Sequence, residues 1–158
     1  LDLTFKRSDE GIQEMYLNNQ NVSREIRSDV VTANVSEISA YPFVREKLVE
    51  YQRNMASTHS VVMDGRDIGT VVLPHAEYKF FLNASAKVRA KRRFDENIEK
   101  GLSNQTLEEI EESIIARDHY DSNREHSPLK KADDAIELET DHLSVEQVVN
   151  TIINHIKK

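Results

Sequence analysis

The sequence predicts an α/β domain built on a parallel sheet, with a small antiparallel β region at its start. Three observations carry this. Short apolar segments rich in β-branched and aromatic residues, Val61–Met63, Tyr78–Leu82 and Ala135–Leu138, alternate with longer stretches of helical period. Capping boxes stand before two of the helical stretches, at Thr106 with Glu109 and at Ser144 with Gln147. The 158 residues suffice for one domain with a core of its own.

The elements follow in order. Leu1, Leu3 and Phe5 alternate with polar residues, and Ile12–Leu17 resumes that alternation after a turn at Ser8–Gly11. Asn18–Asn21 is a second polar turn. Residues 34–57 read as helix, with an apolar stripe at Val35, Ile38, Val44, Leu48, Tyr51 and Met55. Pro42 kinks or restarts that helix, with Ser39 as a cap. A helix from Ser85 stops at Gly101, a residue suited to a C-terminal cap. Leu107, Ile110, Ile114 and Ile115 mark the next helix. In the last one, Val145, Val148, Val149, Ile152, Ile153 and Ile156 form a core-facing stripe.

Composition excludes several classes. A formal net charge of −7 argues against a general nucleic-acid surface. The chain has no cysteine, which excludes disulfides and thiolate chemistry and fits a reducing compartment, so a cytoplasmic location is expected. No apolar run approaches the ~20 residues that a membrane helix needs. The six histidines are scattered without metal-ligand spacing. The positive charge is clustered at Arg89, Lys91, Arg92 and Arg93, and again at Arg117 and Arg124. Such clusters are either helix-surface charge or a binding place for a small anion.

Three sets of residues could carry chemistry. Asp64-Gly65-Arg66-Asp67 follows the run Val61–Met63. It is either a turn between strands Val61–Met63 and Val71–Leu73, with solvated charges, or a ligand site at a strand's polar end, where open α/β sheets bind ligands. In the second reading a carboxylate holds a metal ion through water and a guanidinium forks onto a phosphate. Arg117, Asp121 and Arg124 fall on one face if the helix persists through them. They form either a surface salt-bridge ladder or a site for a phosphorylated sugar. Arg27, Ser36 and Arg45 form the third set, and by spacing alone Ser36 caps a helix and Arg45 faces solvent.

Together these sets resemble the bacterial cytidylate kinases. The resemblance spans essentially the whole chain through Glu25–Ser28, Asn34–Arg53, Asp64–Ala76, Lys79–Ser85, Arg89–Arg93, Arg117–Arg124, Ser127-Pro128-Leu129 and Leu143–Val149. It implies a parallel-sheet P-loop nucleoside monophosphate kinase fold with a small antiparallel β insert and a helical lid. The implied organisation is 1–33 as the β-rich part of the monophosphate-binding insert and 34–84 as its helix with core strands. Residues 85–124 would be the lid, and 125–158 a core strand with the C-terminal helix.

The implied reaction is direct in-line phosphoryl transfer from ATP to CMP or dCMP, with Mg²⁺. The implied roles are base reading by Ser36, Arg45 and Asp67, and grip on the CMP phosphate by Arg66 and Arg124. Arg117 bridges the reacting phosphates, Asp121 contacts the ribose, Asp64 holds magnesium through water, and Arg27 is a further phosphate-side candidate. Expected partners are CMP, dCMP and ATP, with no nucleic acid and no membrane, for a monomer in pyrimidine metabolism. The family's GxxxxGK[ST] loop is absent, and the four glycines at 11, 65, 69 and 101 cannot build one. With a start at Leu1, this leads to the expectation that the sequence begins inside a longer protein. Two alternatives stand beside it: a monophosphate-binding module without catalysis, and a kinase for another nucleoside monophosphate.

Overall fold

A computed structural model of the chain describes residues 2–157, so the strand position expected for Leu1 lies outside the described residues. Among the described residues five strands and five α-helices form two sheets with helices around them: β1 (Leu3–Arg7), β2 (Gln13–Leu17), β3 (Gln20–Asn21), α1 (Asp29–Ala40), α2 (Pro42–Thr58), β4 (Phe80–Asn83), α3 (Ala86–Lys100), α4 (Leu107–Asn123), β5 (Ile136–Glu139) and α5 (Val145–Ile156).

The first sheet is antiparallel in the order β1-β2-β3, with Phe5 opposite Met15. Its first turn ends on Gly11 at φ 78°, a left-handed value that glycine adopts without steric cost. The second turn is tighter than expected. Asn18 and Asn19 take φ 49° and 66°, as a two-residue hairpin of primed type requires, and Gln20 and Asn21 already belong to β3.

The second sheet pairs β4 with β5 in parallel, Phe80 opposite Ile136 and Asn83 opposite Glu139. A parallel pair needs a crossover, and α3 and α4 supply it. Three helix starts expected from sequence form with capping hydrogen bonds. Ser85 Oγ accepts from Val88 N, and both capping boxes, Thr106 with Glu109 and Ser144 with Gln147, are complete. Gly101 closes α3 in the left-handed conformation. Thr106→Ala removes one reciprocal pair of cap bonds and is expected to lower stability by about 1 kcal/mol in a denaturant melt.

Four expectations are corrected. The first long helix begins at Asp29, not near residue 34, because Ser28 caps it through Val31 N. Pro42 then restarts the helix at its first turn, after an extended Tyr41. Ser39 is no cap, since its hydroxyl donates to Ser36 O at 3.2 Å. Neither Val61–Met63 nor Val71–Leu73 is a strand. A β-branched run becomes a strand only where another strand accepts its ladder, and among the described residues 60–66 make no backbone–backbone hydrogen bond. Ile68–Val72 coils instead into a single π-helical turn. Finally, the apolar stripe of α5 is only partly covered, with Val145, Val149, Ile153 and Ile156 exposed. This helix docks by its far end, where Tyr78 donates to Ile156 O at 3.3 Å and His155 meets Phe80 edge to face. Val72, Ala90 and Ile110 are the buried apolar side chains among the described residues. They lie on the π-turn, α3 and α4, the elements that carry the charged residues treated next. Among the described residues no helix is long and apolar enough to cross a membrane.

Candidate active site

Asp121, on the last turn of α4, is 1% exposed and sits among three guanidiniums. Arg66 Nε donates to its Oδ2 at 3.0 Å. Arg117 Nε approaches the same oxygen at 3.6 Å, and Arg124 Nη1 approaches Oδ1 at 3.6 Å. A second carboxylate, Asp118, takes Arg89 at 2.5 Å and lies 3.9 Å from Arg66. Four guanidiniums therefore share two carboxylates, which leaves positive charge in excess, as a bound phosphate requires. The surface-ladder reading of this face falls, since its central carboxylate is buried.

Local sequence explains the assembly. The helix α4 persists to Asn123, so Arg117 and Asp121 stand one turn apart on one face. Arg124 is its C-cap, and its Nε donates to Ser127 O at 2.6 Å. Ser127 takes φ 53°, and the turn after it brings Leu129 N back to Asp121 O at 2.8 Å. Burial, then the charge of Arg66, lowers the pKa of Arg117 from its ordinary value, and Asp121 and Asp118 work the other way.

Arg45 of α2 pairs with the carboxylate of Asp67, and both side chains are largely buried, at 14% and 3% exposure. The solvent-facing reading of Arg45 is thereby corrected. Ser36 lies inside α1, not at its start, and its hydroxyl is buried without a partner. Asp64 is exposed and has no hydrogen bond or ion pair among the described residues. Among those residues no group of three His, Cys, Asp or Glu side chains could hold a metal. Such a lone carboxylate fits magnesium, which keeps several waters and binds through one or two carboxylates plus substrate phosphates. Arg27 is exposed on the turn before α1, and its charge acts on Glu96 of α3.

The basic cluster disperses. Arg89 alone joins the site, while Arg92 anchors the chain after β5 by donating to Thr140 O at 2.5 Å. Lys91 pairs with Asp95, and Arg93 with Glu96. Sequence reasoning missed Asp118 and Arg89 as members of the site. The adjacency of Asp118 to Arg117 was a signal for the first, and nothing local distinguished Arg89 from its cluster.

A parallel strand pair with helices, a small antiparallel sheet, and guanidiniums gathered around the buried Asp121 and the half-buried Asp118 fit a phosphotransferase of the nucleoside monophosphate kinase class. The sequence profile of cytidylate kinase matches residues 1–158. The chain belongs to the cytidylate kinase family. It is 54% identical over 156 residues to the cytidylate kinase of Lactobacillus johnsonii, covering 99% of this chain and 67% of the relative. It is 50% identical over 156 residues to that of Streptococcus suis, covering 99% and 69%. It is 48% identical over 144 residues to that of Halalkalibacterium halodurans, covering 91% and 64%. The chain thus spans about two thirds of the length of the curated relatives it matches. Phosphoryl transfer from ATP is the chemistry of this family.

Proposed function

We propose that the complete protein transfers the γ-phosphoryl group of ATP to CMP or dCMP, giving CDP or dCDP. One observation carries the reading. Among the described residues, six buried side-chain polar atoms lack a hydrogen-bond partner, and four of them are Ser36 Oγ, Arg45 Nε, Arg117 Nε and Arg124 Nη2. Buried polar groups are normally satisfied, so orphans that fall mostly on candidate residues support a polar, anionic ligand that completes them.

In this reading Asp67 accepts from the exocyclic amine of cytosine, and Arg45 and Ser36 donate to its N3 and O2 acceptors. Arg66 and Arg124 hold the CMP phosphate, with Arg27 as a further phosphate-side cation. Asp121 orients the three arginines around it and accepts from a ribose hydroxyl. A CMP phosphate oxygen attacks the γ-phosphorus in line, and no covalent intermediate with the protein is needed. Arg117 neutralises charge spread over the transferring group. Asp64 would hold Mg²⁺ through water, and the ion when bound would supply further neutralisation of phosphate charge. Residues 85–124 act as a lid that excludes water on closing.

The test is a coupled assay of ADP release by the complete protein, with CMP, dCMP, UMP and AMP as acceptors. CMP and dCMP are expected to exceed UMP and AMP by at least about tenfold in kcat/KM, because a site built for the amine leaves polar groups unpaired with other bases. A better rate with UMP or AMP would assign another monophosphate. Calorimetric binding of CMP without turnover would reduce the protein to a binding module.

A further inference from the structure

We propose that Arg53 is a positioning residue for base discrimination, holding Asp67 where it meets the nucleobase edge. The inference rests on the base-reading role given above to Arg45 and Asp67. Both Arg45 and Arg53 belong to α2, about two turns apart. Arg45 pairs with the Asp67 carboxylate. Arg53 reaches the other end of the segment that Asp67 opens: its Nε donates to Val72 O at 2.9 Å and its Nη2 to Val71 O at 2.7 Å.

Between these two grips lies the π-turn. Asp67 O accepts from Val71 N at 2.9 Å and from Val72 N at 3.2 Å, and Ile68 O accepts from Leu73 N at 2.7 Å. The last carbonyls of any helical turn point away without an intrahelical donor, and a planar guanidinium fork suits a pair of them. Single π-turns are uncommon and concentrate at functional sites. Before Asp67, among the described residues 60–66 make no backbone–backbone hydrogen bond, and the side chain of Arg66, held by Asp121 at 3.0 Å, is the anchor on that side. The backbone of Asp67 is located from its C-terminal side, through a turn pinned by the buried Val72 and by Arg53. One helix thus fixes both the cation and the carboxylate that face the base. Arg53 hydrogen-bonds backbone carbonyls, so it acts through Asp67 and not on substrate.

Cytosine presents an amine donor where uracil presents a carbonyl acceptor, so a fixed carboxylate accepts from one and repels the other. Loosening the carboxylate erodes that difference more than it slows phosphoryl transfer. The experiment compares Arg53→Met, Arg53→Lys and Asp67→Asn in the complete protein, with steady-state kinetics on CMP and UMP and a thermal melt of each. For Arg53→Met we expect KM for CMP to rise about tenfold, kcat to fall less than about threefold, and the CMP-to-UMP ratio of kcat/KM to fall about tenfold. Arg53→Lys should recover part of both, since an ammonium can serve one carbonyl but not the fork. An unchanged ratio in a folded Arg53→Met protein overturns the proposal, as does a loss confined to kcat. If Arg53→Met does not melt cooperatively, Arg53→Lys decides: a normal melt with unmoved KM and ratio overturns it equally. Asp67→Asn separates the two levels. If it leaves the ratio intact, the base-reading role falls; if it lowers the ratio and Arg53→Met does not, only the role of Arg53 falls.

Discussion

Replacing Arg117 by alanine in the complete protein is expected to lower kcat by about 10³-fold, with KM for CMP changed only a few-fold. Phosphoryl transfer asks little covalent chemistry of a protein, and a guanidinium aimed at the transferring group contributes on the order of 10³–10⁵ in turnover. In the proposed reading Arg117 takes that task. Its Nε is buried without a hydrogen bond, and its nearest carboxylate oxygen stands 3.6 Å away. Burial and the neighbouring Arg66 lower its pKa from the ordinary value, so its charge is under-compensated in the absence of a ligand. A negative charge that grows between donor and acceptor relieves this in the transition state more than in the ground state, which is why the loss falls on kcat. Arg117→Lys should lie between the two, because it restores charge without the planar fork. A kcat for Arg117→Ala within about tenfold of the parent would remove Arg117 from the transfer step.

Asp121→Ala is expected to be the most destabilising single change at the site. Its carboxylate is 1% exposed and is shared by Arg66, Arg117 and Arg124, the last with a side chain only 6% exposed. Removing one partner of a buried ion pair leaves charge in low dielectric without compensation, at a cost of about 3 kcal/mol. For a domain of this size that is about 6–12 °C in Tm. Asp121→Asn keeps the shape and loses the charge, so it should lose nearly as much stability. If the cost were only packing, Asp121→Asn would melt like the parent. A scanning melt of both variants beside the parent reads this directly, and a Tm within about 1 °C for Asp121→Ala would show that the three arginines need no central carboxylate.

How much of this was legible in the sequence depends on the range of the interaction. The helix start at Ser85 and the caps at Thr106 and Ser144 were readable because a cap is a bond within three residues. So were the left-handed Gly101, the hairpins of the first sheet, and the strand near Ile136. The β-branched run Val61–Met63 misled, because strand propensity reports fitness for a sheet surface and not the presence of a neighbour. The stripe of α5 misled in the same way: its period specified a helix with an apolar side, and the period carries no information on how much of that side is covered.

The candidate site divides along the same line. The residue types and their local spacing on α4, Arg117 one turn before Asp121, stood in the sequence. That Arg66 would reach Asp121 across 55 positions, or Arg45 would reach Asp67 across 22, did not. Nor did the dispersal of the basic cluster, in which Arg89 turns to Asp118 and Arg92 to the carbonyl of Thr140. By itself the sequence determined the class of fold, the starts of the last three helices, and through its motifs the family. Only the tertiary structure decided which charges are buried together, that Asp67 opens a π-turn gripped by Arg53, and which donors are left without partners. The reason is physical: caps and periods are set by neighbours along the chain, whereas burial and charge pairing are set by elements that meet only once the chain has folded.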